Sequence, residues 1–130
     1  MDTKEYDVVV IGGGIIGLST AMQLARAKAS HWRVAVVEKE AELATHQTGH
    51  NSGVIHSGIY YRPGSHKARF CVSGAQSLLR FCEENEIEHE ECGKVIVATD
   101  QSELGRLEDL HHRGTANGGG GLEMIGSERL

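Results

Sequence analysis

The apolar positions fall into three kinds of pattern, each implying a different element. Val8 to Ile11 is a continuous β-branched run without polar alternation, as in a strand buried on both faces. Val34 to Val37 is a second apolar run. Between them Ile15, Leu18, Met22 and Ala25 recur at spacings of three and four, the inner face of a helix, with Ala21 continuing the small-residue packing. The pattern predicts a strand at 7–11, a helix at 15–28 and a strand at 33–38. Farther on, Ala68, Cys71, Ala75, Leu78, Leu79 and Cys82 form an apolar stripe. Lys67, Arg69, Gln76, Arg80, Glu83 and Glu84 fall largely outside it. This is a helix at 65–85, with Ser65 as its N-cap after Pro63-Gly64 and Asn85 closing it. A strand at 94–99, a helix at 102–116 with Leu104, Leu107 and Leu110 inward, a glycine loop at 118–121 and a short strand at Leu122 to Ile125 complete the reading.

Where the first strand ends, the chain reads Gly12-Gly13-Gly14-Ile15-Ile16-Gly17, and Glu38 closes the second strand 21 residues beyond Gly17. A lone glycine fingerprint is weak evidence, but here strand, turn, helix, strand and acid stand in the order of a dinucleotide-binding βαβ unit. Gly12 permits the tight turn, Gly14 lets a pyrophosphate approach the backbone, and Gly17 lets the helix pack on the sheet. The helix N-terminus turns free N–H groups and a positive dipole end toward the phosphates. The Glu38 carboxylate can accept hydrogen bonds from both adenosine ribose hydroxyls and would repel a 2′-phosphate, which disfavours NADP. A glycine-rich turn without ligand is the alternative, though four glycines in six residues serve stability poorly. The fingerprint itself does not separate FAD from NAD.

Composition adds boundaries. The chain has 130 residues, one domain by length, and a net charge of −5 with acids and bases intermixed. No basic stripe is present, so nucleic acid is not expected as a partner. Cys71, Cys82 and Cys92 form no CxxC pair, which suits a reducing compartment and thiols packed as small apolar residues. No secretory signal, transit peptide or membrane-length apolar run is visible. The expected location is the cytoplasm, with peripheral contact to the inner face of the membrane left open. No domain end is recognisable at 127–130, and the strands that complete a doubly wound sheet are missing. The chain therefore reads as the N-terminal portion of a larger protein, inactive alone.

Residues 41–64 are rich in Gly, His, Ser, Thr and Asn, too long for a plain connector, and segments of that kind are usually functional. The stretch His46-Gln47-Thr48-Gly49-His50-Asn51-Ser52-Gly53-Val54-Ile55-His56-Ser57-Gly58-Ile59-Tyr60-Tyr61 closely resembles the L-2-hydroxyglutarate oxidase or dehydrogenase family. Pro63 to Ala68, Cys92 to Thr99, Arg113-Gly114 and Ala116-Asn117-Gly118 are similar to it as well, so the resemblance covers essentially the whole chain. That family belongs to the FAD-dependent oxidoreductases related to D-amino acid oxidase and glycerol-3-phosphate dehydrogenase. His66 stands where the family usually has leucine, a change of packing at a helix start. Family members are roughly three times as long, in line with a multi-domain size.

The resemblance implies an α/β fold: the N-terminal part of a Rossmann-like FAD-binding domain at 1–86, its sheet incomplete, then the start of a substrate domain at 87–130. It implies FAD as cofactor, held by Gly12, Gly13, Gly14, Ile15, Ile16, Gly17, Glu38 and Lys39, with Thr48, Gly49, Asn51, Ser52 and Gly53 on the flavin side. Glycines there allow close approach, and Ser, Thr and Asn offer neutral hydrogen bonds. The implied reaction is oxidation of a small 2-hydroxy acid, L-2-hydroxyglutarate to 2-oxoglutarate, by hydride transfer to flavin, with oxygen or a quinone as electron acceptor. His56, projecting from a short strand at Val54-Ile55, is the candidate base for the hydroxyl proton. On residue type alone, a structural histidine hydrogen-bonded in a polar loop is the better reading, and it is the resemblance that favours the flavin or substrate site. His46, His50 and His56 match no zinc spacing, so no metal is expected. Lys67 and Arg69 suit either a dicarboxylate or solvent, and Tyr60 and Tyr61 either a cavity or packing. Two rivals stand beside this reading: the same fold acting on an amine, an amino acid or glycerol 3-phosphate, and a non-catalytic remnant that at most binds an adenine nucleotide.

Overall fold

The computed structural model describes residues 5–27 and 31–129. By packing, the chain divides into two compact units, Met1–Gly53 and Val54–Leu130. The boundary expected at residue 86 concerns which ligand each part serves and is a separate matter.

The first unit is a βαβ element. Strand β1 (Val8–Ile11) leads into helix α1 (Ile15–Arg26), which returns to strand β2 (Val34–Val37). β1 and β2 pair in parallel, Val8 opposite Val34 through Ile11 opposite Val37. Gly12 N–H donates to Val37 O at 2.8 Å and continues the ladder into the turn. At the other end, Asp7 N–H donates to Arg33 O at 3.0 Å while Arg33 N–H donates to the Asp7 carboxylate at 2.6 Å. This clasp fixes the register before the first strand residue.

Two details depart from the sequence reading. β1 is not buried on both faces: Val8 and Val10 are half-buried, whereas Val9 is 53% and Ile11 88% exposed. The two-stranded sheet has α1 against one face, and no described residue covers the other. The inner face of α1 is also shifted. Leu18 and Met22 flank the buried Ala21, but Ile15 and Ala25 are exposed. Residue 28, the expected helix end, lies outside the described residues.

The second unit is built on helices α2 (His66–Glu84) and α3 (Leu104–Ala116). Ser65 Oγ accepts from Ala68 N–H at 3.2 Å, the expected N-cap, and Asn85 is the C-cap. The stripe turns inward as expected, with Ala68 and Cys82 buried and Leu78 at its rim. The charged positions named with it are all exposed. His66 opens α2 with its ring stacked on Phe70, centroids 5.9 Å apart, so the departure from leucine is met by an exposed aromatic pair. Ahead of α3, Asp100 Oδ1 accepts from Ser102 N–H at 2.7 Å, and Glu103 Oε2 accepts from Thr99 N–H at 2.8 Å. This reciprocal capping starts a 3-10 turn (Gln101–Glu103) that runs into the helix. On α3, Leu104 is 44% exposed, and the inward row is Leu107, Leu110 and Gly114.

The strands expected at 94–99, Leu122 to Ile125 and Val54-Ile55 do not form. A strand needs a neighbour for its N–H and C=O groups, and no described segment pairs with these. Segment 94–99 keeps the alternation of a strand without the ladder: Ile96 and Ala98 are half-buried, whereas Val95 is 67% and Val97 51% exposed.

Candidate cofactor site at the glycine turn

The site grows from the end of β1. Gly12 takes φ +109°, a conformation that glycine adopts without strain. A Cβ on Gly17 would lie 2.0 Å from Gly12 O, so α1 sits against the turn at a distance only glycine allows. The roles read for Gly12 and Gly17 are therefore present in the backbone.

Two side chains brace the turn from across the unit. Glu38, just past β2, accepts through Oε2 from Gly13 N–H at 2.6 Å. Its Oε1 accepts from Lys39 N–H at 2.8 Å and Glu40 N–H at 3.1 Å. These bonds, Gly13 first, then Glu40 and Lys39, with the nearby His46, hold the Glu38 carboxyl below its ordinary pKa despite some desolvation. Thr48 Oγ1 accepts from Ile15 N–H at 3.0 Å and so caps the first turn of α1. Ala44 N–H donates to Gly13 O at 3.1 Å and ties the loop after β2 to the same turn.

A cavity of about 400 Å³ opens over the helix N-terminus, lined by Ile11, Gly12, Gly14 to Gly17, Gln47, Thr48 and Asn51. Among the described residues, no charged side chain lines it. The N–H groups of Gly14, Ile16 and Gly17 find no acceptor among the described residues. These donors sit at the positive end of the α1 dipole. The residues fit the diphosphate of a dinucleotide: free donors converge on a neutral, glycine-walled space within the size range of ligand pockets.

Of the residues read from the sequence, the cavity gathers Gly12, Gly14, Ile15, Ile16, Gly17, Thr48 and Asn51. Gly13 is buried beneath the turn, with Glu38 against it. Lys39 points elsewhere, its Nζ 3.3 Å from the Glu40 carboxylate. Gly49, Ser52 and Gly53 are off the lining. Asn51 spends its side chain on the loop, donating to Gln47 O and Thr48 O and accepting from Gly53 N–H at 2.7 Å. Gln47 lines the cavity and was missed, because a lone glutamine in a polar loop carries no signal. The Glu38–Gly13 bond was missed for another reason: the spacing of an acid behind a fingerprint does not say that it first serves the turn.

His56 belongs to the second unit, in an irregular segment rather than a strand, with its side chain exposed. Its backbone carbonyl accepts from Cys71 Sγ at 3.2 Å. In that unit Lys94 Nζ lies 4.5 Å from the Tyr60 ring centroid. Cys82 is buried, Cys71 half-buried and Cys92 exposed, so apolar packing accounts for the first two thiols and not the third. Among the described residues, no helix is long and apolar enough to cross a membrane, and no three His, Cys, Asp or Glu residues converge as a metal shell would require.

Comparison with known proteins points the same way as the glycine turn. The human mitochondrial L-2-hydroxyglutarate dehydrogenase is 50% identical over 128 residues, 98% of this chain and 27% of the relative. L-2-hydroxyglutarate dehydrogenase of Escherichia coli (strain K12) is 54% identical over 113 residues, 87% of this chain and 26% of the relative. The chain thus spans about a quarter of the length of these relatives. Among solved structures, dithionite-reduced L-alpha-glycerophosphate oxidase from Mycoplasma pneumoniae with FAD bound superposes with a TM-score of 0.74 at 32% identity, covering 97% of this chain and 31% of that one. The family described as FAD dependent oxidoreductase matches residues 7–130, and with the fingerprint intact in both sequence and backbone, this chain belongs to that family.

Proposed function

We propose that the protein carrying this chain is an FAD-dependent oxidoreductase that converts L-2-hydroxyglutarate to 2-oxoglutarate. The observation that carries the cofactor reading is the neutral cavity at the α1 N-terminus, where Gly14, Ile16 and Gly17 present N–H groups without acceptors. The similarity to L-2-hydroxyglutarate dehydrogenases supports the substrate.

Bound there, FAD supplies a two-electron acceptor for the hydrogen on the substrate's hydroxyl-bearing carbon. The chain's residues bind and orient. Gly14, Ile16 and Gly17 would donate to the diphosphate, and Thr48 holds the end of α1 that presents them. Glu38 keeps the turn shaped through Gly13 N–H, and the free lone pair on Oε2 offers an acceptor to the adenosine ribose while repelling a 2′-phosphate. His56, in its neutral form, takes the substrate hydroxyl proton as the carbonyl forms. The segment holding Thr48, Gly49, Asn51, Ser52 and Gly53 would supply neutral hydrogen bonds and close backbone approach on the flavin side. In this reading residues 1–86 serve the flavin and 87–130 open the substrate domain. The electrons leave to oxygen or a quinone, and the protein works in the cytoplasm, in reach of a membrane surface.

The test is anaerobic reduction of FAD in the full-length protein. Loss of the oxidised-flavin absorbance on adding L-2-hydroxyglutarate supports the proposal. Bleaching by glycerol 3-phosphate or an amino acid, with none by L-2-hydroxyglutarate, refutes it. Peroxide formation under air distinguishes oxygen from a quinone.

A further inference from the structure

The segment carrying His56 has no regular secondary structure, yet side chains from both helices of its unit hold it. Cys71 of α2 donates through Sγ to His56 O at 3.2 Å. Two residues on, Gly58 is buried with φ +85°, and a Cβ there would meet Val72 Cγ2 at 3.1 Å. Ile59 lies against the buried Gly114 of α3, where an added Cβ would sit 3.0 Å from Ile59 Cγ1. Asn117 closes the arrangement: its Nδ2 donates to Gly58 O at 3.1 Å and to Tyr61 O at 2.9 Å, across 59 and 56 residues of chain.

Asn117 is also the C-cap of α3, but it caps through its backbone N–H, bonded to Arg113 O and Thr115 O. Its side chain is therefore not needed to end the helix. An amide with two N–H donors suits two carbonyls that face one point, whereas a carboxylate of the same shape has no donor and would repel both. We propose that Asn117 is a positioning residue for His56: its amide fixes the 58–61 turn, and with the Cys71 bond this fixes the backbone from which the imidazole projects. The inference rests on the role proposed for His56 in substrate oxidation.

Hydrogen–deuterium exchange of the FAD-loaded protein, together with a kinetic double-mutant cycle, tests it. In Asn117→Ala and Asn117→Asp, amides of 56–61 should exchange roughly tenfold or more faster, while those of α3 at 107–113 keep the wild-type rate. With L-2-hydroxyglutarate, Asn117→Ala should lower kcat roughly tenfold to a hundredfold with little change in KM, as misplacement of a reacting group does. In a His56→Ala background the same change should add nothing to the loss. Equal losses in both backgrounds, or unchanged exchange at 56–61, overturn the proposal. If α3 loosens too, Cys71→Ala takes the place of Asn117→Ala, and unchanged exchange around His56 then counts against the pinning. If wild-type protein oxidises no L-2-hydroxyglutarate, the proposed substrate fails, and the exchange result alone decides whether Asn117 holds the segment.

Discussion

Glu38 and Gly13, 25 residues apart, are joined by a 2.6 Å hydrogen bond from the glycine's N–H to the carboxylate Oε2. The acid just past β2 thus grips the turn that leaves β1, and the C-terminal ends of the two strands are locked at one point. A charged acceptor makes this a strong bond of its kind. Glu38→Gln keeps the shape and removes the charge. It should weaken FAD binding roughly tenfold and relax discrimination against a 2′-phosphorylated adenosine. Titration of wild type and Glu38→Gln with ADP and its 2′-phosphate, read by calorimetry, checks this. Unchanged affinities would separate Glu38 from the ligand.

The same bond gives a pH dependence. Glu38 is held below its ordinary pKa by Gly13, Glu40 and Lys39 N–H groups and by His46, so the unfolded chain binds more protons than the folded one. Its contribution is fully present above the ordinary value and is lost as pH falls through the lower folded value. Asp100, through the Ser102 hydroxyl and N–H, and Glu103, through the Thr99 N–H and hydroxyl, shift in the same direction. Urea denaturation repeated from about pH 6 to about pH 3 should show stability falling on the acid side, and less steeply in Glu38→Gln. A flat profile would contradict these carboxylate bonds.

Thr48 Oγ1 sits on the first N–H of α1 at 3.0 Å. Thr48→Ala should cost about 1 kcal/mol, the usual scale for losing a cap, and Thr48→Ser should restore most of it. Chemical denaturation reads the loss. Equal effects of both substitutions would show that the methyl group, not the hydroxyl, matters.

Gly17→Ala is the most damaging single methyl group available, since its carbon would meet Gly12 O at 2.0 Å. Backbone cannot yield as a side chain does. The expected cost is about 1–3 kcal/mol, with loss of FAD binding. Gly74→Ala, in open space on α2, is the contrast and should be neutral or stabilising in the same denaturation experiment.

Both units were legible where local chemistry decides the outcome. The fingerprint, the Ser65 cap, the α2 stripe and the glycine loop depend on neighbours within a few residues. What the sequence misstated depends on distant partners. Val95 to Val97 have the composition of a strand, but a strand is a relationship, and no described segment supplies its other half. The exposure of Val9 and Ile11 has the same origin, because their run was read as buried on both faces and only one is covered. At the site, the family resemblance put Thr48 and Asn51 on the flavin side, whereas both line the cavity at the glycine turn, and neither the resemblance nor residue type gives the direction of their bonds. One caps α1 and the other ties its own loop.

The most direct test of the whole account is an FAD titration of the isotopically labelled chain followed by amide NMR. The amide signals of Gly14, Ile16 and Gly17 should move together as FAD is added, and excess ADP should compete for the same amides. FAD that leaves those three signals in place, or moves only signals remote from the glycine turn, would contradict it.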